Sequence, residues 1–459
     1  MSINYKTQIG MSRVLIHNAQ IVNEGTITQG SLVIENDRIA EVLTHGKPLA
    51  APCDEMVDAS GCYLLPGIID DHVHFREPGL TQKADIFTES MAAAAGGVTS
   101  IMDMPNTKPQ TTTLETLEEK QQLLSEKCVV NHSCYFGATD TNYKLFHNLD
   151  PRHVCGIKLF MGASTGNMLV DQDSALIRIF TSAPMLIAAH CENQDIIQSN
   201  TELIRRQAAN GRVPMFNHSI IRSVEACFTS SQKAVELAQM THARLHLLHL
   251  STGSEVNLMR RLIKESDERL ITAEACVGHL WFHSADCRKL DTLIKVNPAI
   301  KTSIHRDALR KAIKAGYIDV IATDHAPHLL SDKEGDAITA ASGMPTIQFS
   351  LRMMLELVDK KWFSLETLVE KMCHAPARIF QIAERGYIRE GYKADLVLVK
   401  SGLDHKVEKS EILSKCGWSP LEGAKFHWGV EKTWVNGRLA FDGQQVDTTC
   451  RGEALEFDR

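Results

Sequence analysis

A (β/α)8 TIM barrel, class α/β, carrying a small composite β-sandwich is the fold this sequence predicts, and three observations predict it. Apolar β-rich runs alternate with helical stretches from about residue 66 to 385, the rhythm of βα units around a parallel sheet. Short strands punctuated by glycine and asparagine turns precede and follow that region without interrupting it. The 459 residues suffice for one barrel plus a satellite layer.

The elements follow in chain order. RVLIHNAQIVNEGTITQGSLVIENDRIAEV, starting at Arg13, reads as hairpins with Asn, Gly and Asp turns. Eight apolar runs then predict barrel strands: IIDDHVHF, VTSIMDMP, VVNHSCYFG, GIKLFMG, MLIAAHC, RLHLLHLS, RLITAEACV and DVIATDHAP. The segments between them carry helical spacing, as in TSIHRDALRKAIKAG with its glycine stop. RGYIREGYKADLVLVK and VEKTWVNGRLAFDGQ return to short strands. Each flanking segment is small for independent stability, so the two are expected to form one sandwich from residues 12–65 and 386–445, around a catalytic barrel at 66–385.

Composition narrows the function. Hydrophobic residues at 44% and charged residues at 23% describe a folded globular chain. A net charge of −7 without any lysine or arginine block argues against a nucleic-acid partner. The start MSINYKTQIG lacks a signal-like apolar stretch, and no segment approaches the ~20 apolar residues of a membrane span, so a cytoplasmic protein is expected. Twelve cysteines without a CxxC pair suit reduced, buried thiols better than disulfides or a thiolate metal site. A homodimer is the expected assembly on symmetry grounds.

The chemistry rests on polar residues at the ends of the apolar runs. His72-Val73-His74 places two imidazoles on one face of a strand, because side chains at i and i+2 point the same way. Alone, such a pair is weak evidence, and His190 or His249 taken singly is more simply a hydrogen-bonded core histidine. The ordered series is stronger: His72 and His74 on the first run, Lys158 on the fourth, His190 on the fifth, His249 on the sixth, and Asp324 with His325 on the eighth. In a barrel these positions converge on the carboxyl-terminal rim, where catalytic groups gather.

With this order the sequence resembles the amidohydrolase superfamily, from about residue 13 to 443. The resemblance implies two divalent ions, zinc by donor type, though cobalt or manganese suit the same ligands. It assigns His72, His74 and Asp324 to one ion and His190 and His249 to the other, bridged by a hydroxide and by Lys158 carboxylated with carbon dioxide. A protonated lysine would repel cations, whereas a carbamate offers two anionic oxygens. Asp324 is also the implied catalytic proton carrier.

Arg76, two residues beyond His74, and Asn106 in DMPNT give the chain a likeness to the dihydroorotase branch, in which this arginine and asparagine bind a substrate carboxylate. By the same resemblance His328 contacts that carboxylate and Asn297 the pyrimidine ring. The implied substrate is a small anion, dihydroorotate or carbamoyl aspartate. Arg76 paired with Glu77 or Asp85, and Asn106 stabilising a turn, are the plain structural alternatives. Allantoinase and dihydropyrimidinase or hydantoinase activity, or a silent relative, remain the alternative functions. The chain departs from close relatives at Cys276 and His279, where an adjacent histidine pair is common, and at Ala299. The loop MGASTGNMLVDQD after Lys158 reads either as a mobile rim segment or as an ordinary βα connection.

Overall fold

The computed structural model describes residues 13–44, 46–162, 168–208, 211–265 and 269–459. Residues 163–167, the centre of the loop after Lys158, lie outside the described residues.

The described residues open with β1 (Arg13–Asn23), β2 (Thr26–Glu35) and β3 (Arg38–Thr44), an antiparallel meander. Its first turn is Glu24-Gly25, both at positive φ (48° and 77°), the geometry a tight two-residue hairpin requires. β4 (Glu55–Asp58) and β5 (Cys62–Pro66) then run parallel to β1 on its other side.

The far end of the chain completes this layer. β15 (Leu396–Lys400) lies antiparallel to β5, with Leu398 opposite Leu64. A short pair, β16 (His405–Lys406) and β17 (Lys425–Phe426), stands apart from it. β18 (Gly429–Val435) and β19 (Arg438–Phe441) extend the sheet in the order β19-β18-β15-β5-β1-β2-β3. Ile16, Ile21, Leu32, Leu64, Leu396, Leu398 and Trp434 form its own buried core, so the two chain ends fold as one layer.

The barrel strands are β6 (Ile68–Val73), β7 (Val98–Asp103), β8 (Asn131–Cys134) continued after Tyr135 by β9 (Phe136–Gly137), β10 (Ile157–Phe160), β11 (Ile187–His190), β12 (Leu245–Leu247), β13 (Ile271–Cys276) and β14 (Val320–Ala322). Each pairs in parallel with the next. The ring closes where Val73 bridges His325 and the His74 amide donates to the His325 carbonyl at 2.8 Å. Every residue of β6 and β7 is buried, the polar ones included, so neither strand alternates between a core face and a solvent face. The helix Ser303–Ala315 ends at Gly316 in the left-handed region (φ 76°), the stop the sequence predicts.

The amino-terminal mouth of the barrel is plugged. The chain's last residues run beside β8, with the His132 amide donating to Glu453 O and the Leu455 amide to His132 O. Leu455 and Phe457 pack with Tyr135, Met102 and Phe380. Ligand access therefore belongs to the opposite, carboxyl-terminal end. No helix among the described residues is long and apolar enough to cross a membrane.

Candidate active site

A cavity of about 850 Å³ opens at the carboxyl-terminal end of the barrel. Its lining includes His72, His74, Arg76, Asn106, Lys158, His190, His249, Asn297, Asp324 and His328, the ten residues to which the resemblance gives a metal or substrate role. His325 does not line it: its Nε2 meets the Glu89 carboxylate at 2.8 Å, and its Nδ1 accepts from the Thr346 and Ile347 amides, so it anchors the rim from behind.

The histidine pair from β6 and the aspartate after β14 come together first. Asp324 Oδ1 lies 3.3 Å from His72 Nε2 and 3.2 Å from His74 Nε2. These three ligand atoms fall within 4.8 Å of one another, and two imidazoles with a carboxylate suit a divalent cation. The opposite edges of both rings are held: His72 Nδ1 meets Glu274 Oε1 at 2.6 Å, and His74 Nδ1 donates to Asn106 Oδ1 at 2.8 Å. Such partners fix tautomer and ring orientation, leaving each Nε2 for the ligand.

Across the cavity, His190 Nδ1 faces His249 Nε2 at 2.8 Å, while His190 Nε2 meets Glu192 at 3.0 Å. Glu192 is itself paired with Arg222. Lys158 is buried with its ammonium over the Phe160 ring at 4.5 Å, and among the described residues no carboxylate stands at ion-pairing distance from it.

Burial sets the protonation states. It pushes His74 down to about 4 and His249 and His190 below the ordinary imidazole range, keeping these rings in the neutral form that binds metals. It also lowers Lys158 to about 8. On His72 burial acts in the same direction, but Glu274 and Asp324 outweigh it and raise the pKa. Burial would raise Asp324, yet His72 and His74 hold it below the usual carboxylate value.

Arg76 decides what else the cavity can hold. Its guanidinium is buried, donating through Nε to Pro327 O at 2.9 Å and standing 3.0 Å from His328 Nε2. The two acids offered as its plain partners are engaged elsewhere, Glu77 with Lys127 and Asp85 with Lys415. Among the described residues Arg76 has no ion-paired carboxylate, and burial lowers its pKa to about 10. A buried guanidinium without a counter-ion, lining a cavity, marks the place of an anion.

The backbone carries strain at the same place. Arg76 (φ 69°), His249 (φ 39°) and Asp324 (φ 49°) all occupy the left-handed region that non-glycine residues avoid. Gly79 allows the loop after Arg76 to seat against the 106–110 segment, since a β-carbon there would lie 1.8 Å from Lys108 O.

The amidohydrolase family profile matches residues 63–440, most of the chain. The chain belongs to the amidohydrolase family. Among its relatives, the dihydroorotase of Methanosarcina acetivorans is 32% identical, with 97% of this chain and 96% of that protein covered. The allantoinase of Deinococcus radiodurans is 28% identical, covering 96% and 98%. Among solved structures, the L-hydantoinase of Arthrobacter aurescens superposes with a TM-score of 0.89 at 28% identity, covering 94% of this chain and 97% of that one.

Several residues of this amidohydrolase site were not anticipated. Asp70 staples the first strand to the last, accepting from Thr323 Oγ1 at 2.6 Å and the Thr323 amide at 3.1 Å. Glu274 on β13 serves both His72 Nδ1 and the His249 amide, at 2.9 Å. Its one legible signal was a lone acid in the apolar run ITAEAC. Asp103 accepts from the Phe75 amide at 2.9 Å and is ion-paired with Lys120, whose Nζ also donates to Glu77 O. That clamp grips both neighbours of Arg76. At strand seven, His279 Nε2 donates to Pro298 O at 2.9 Å, and Asn297 lines the cavity with a buried Oδ1 that has no hydrogen-bond partner among the described residues.

Proposed function

We propose that this amidohydrolase is a dihydroorotase, catalysing the reversible closure of N-carbamoyl-L-aspartate to L-dihydroorotate and water, a step of pyrimidine nucleotide synthesis. The cyclic-amide hydrolases among its relatives support the reaction class. The observation that carries the substrate is the buried Arg76 guanidinium, which has no ion-paired carboxylate among the described residues, in the same cavity as the histidine and aspartate cluster. Allantoin and simple hydantoins bring no carboxylate to such a site; dihydroorotate does.

The donor set fits two divalent ions, zinc by ligand type. His72, His74 and Asp324 would hold one and His190 and His249 the other, with Lys158 as a carbamate between them. Bound there, the ions supply Lewis acidity towards a carbonyl and lower the pKa of water towards neutrality.

The chain's own groups do the rest. Arg76, with Asn106 and His328, grips the α-carboxylate and sets the scissile C–N bond against the aspartate. In the hydrolytic direction Asp324 takes the proton of the attacking water and delivers it to the departing ring nitrogen. With Oδ1 set between the two imidazoles, Oδ2 is the oxygen assigned to carry it. In the synthetic direction the same atoms act in reverse. Asn297, whose buried Oδ1 has no hydrogen-bond partner among the described residues, would accept from a ring N–H.

The test is hydrolysis of L-dihydroorotate followed in the ultraviolet, with allantoin and dihydrouracil in parallel and metal measured on the same sample. Turnover confined to allantoin or dihydrouracil would overturn the substrate. Arg76→Ala is expected to lower kcat/KM for dihydroorotate by roughly 1.5–3 kcal/mol, the scale of a charged hydrogen bond; unchanged kinetics would remove Arg76 from the site. Lys158→Ala should purify with about one metal equivalent fewer per chain. Undiminished metal content would refute the bridging role.

A further inference from the structure

The end of the cavity beyond Arg76 holds a second cation. Lys83 lines it, with Nζ 3.0 Å from His328 Nδ1 and 3.1 Å from Asp332 Oδ2. The position is built: the Lys83 amide donates to Leu80 O at 2.9 Å, and the Leu80 amide to Arg76 O at 3.1 Å, so two consecutive turns link Arg76 to Lys83. His328 is seated equally firmly. Trp418 Nε1 donates to its carbonyl at 2.7 Å, and its ring packs on Gly343, where an added β-carbon would lie 2.9 Å from Cδ2.

A count of donors and acceptors shows what is missing. Arg76 and Lys83 each approach one ring nitrogen of His328, and His328 Nε2 also lies 3.1 Å from Ser342 O. A neutral imidazole has one acceptor nitrogen and one N–H. If Nε2 carries the hydrogen and donates to Ser342, Nδ1 accepts from Lys83 and the Arg76 NH2 group has no acceptor there. If Nδ1 carries it, the lysine faces a donor. Either way one donor finds no acceptor within this trio, and Asp332 is paired with Lys83, leaving Arg76 without an ion-paired carboxylate among the described residues. The group that fits is an anion with oxygen acceptors.

We propose that Lys83 determines specificity for acidic substrates: it forms an anion subsite with Arg76 and His328, and by occupying His328 Nδ1 it leaves the guanidinium to the substrate's carboxylate. The inference rests on the dihydroorotase reading for its substrate, and on the donor count alone for its anion.

Lys83→Met is expected to lower the ratio of kcat/KM for L-dihydroorotate over uncharged dihydrouracil about tenfold or more, mainly by raising KM for the acid, and to weaken its dependence on ionic strength. Lys83→Arg should restore most of the ratio. Equal losses on both substrates, the mark of a structural role, would overturn the proposal, and so would an unchanged ratio. Calorimetric titration with succinate separates this from failure of the substrate assignment. If the wild type leaves dihydroorotate untouched, the dihydroorotase reading fails. Lys83 then stands on a succinate Kd raised about tenfold in Lys83→Met, and falls if that Kd is unchanged.

Discussion

Asp324→Asn is expected to reduce kcat by about 10³-fold or more while leaving the fold intact, because it removes the group assigned to take and return the proton, and such transfers contribute ~10²–10⁴. The amide also loses an anionic oxygen from the cluster with His72 and His74, which pushes the loss towards the upper end. The steady-state rate and a thermal melt on the same preparation check it. Near-wild-type turnover would remove Asp324 from proton transfer. A collapsed melt would assign the loss to stability, and Asp324→Ser, smaller and neutral, would then have to show the same kcat loss in a folded protein.

The second large effect is expected at a residue that does not line the cavity. Lys120→Met should destabilise the protein by about 3–5 kcal/mol, since it strands the fully buried Asp103 carboxylate without its counter-charge. The midpoint of denaturant unfolding measures this. Removing both charges, with Asp103→Leu added, should recover part of the loss, though not all, because the Phe75 amide then loses its acceptor. Because the clamp holds both neighbours of Arg76, the folded fraction of the single variant should also show a raised KM for dihydroorotate. A variant as stable as the wild type would show that the pair carries no net stability.

The barrel was legible because parallel strands buried on both faces, such as β11 and β14, leave near-continuous apolar runs, and because the rim residues stand at the ends of those runs. His72, His74, Lys158, His190, His249 and Asp324 needed nothing more than their order to be grouped. Lys120 was illegible for the opposite reason. It sits in LETLEEKQQLLSEK among charges that face solvent, and only the three-dimensional path of the helix turns it inward against Asp103. Glu192 and Arg222 meet across 30 residues of chain, and no local pattern relates them. The plain alternative for Arg76 was wrong for an equally physical reason: Glu77 and Asp85 are closer in sequence, but Lys127 and Lys415 reach them first.

The left-handed backbone at Arg76, His249 and Asp324 bears on how such a protein ages under drift. Each of these residues holds a conformation that costs about 1–3 kcal/mol, set against a typical net stability of only ~5–15 kcal/mol. Glycine or asparagine would relax each one. In a lineage released from selection for turnover, the replacements that abolish chemistry would also make the barrel more robust, so loss of activity would be favoured, not merely tolerated. An ancestral series should therefore show inactive descendants that melt later than their active parents, with the first changes at these three positions.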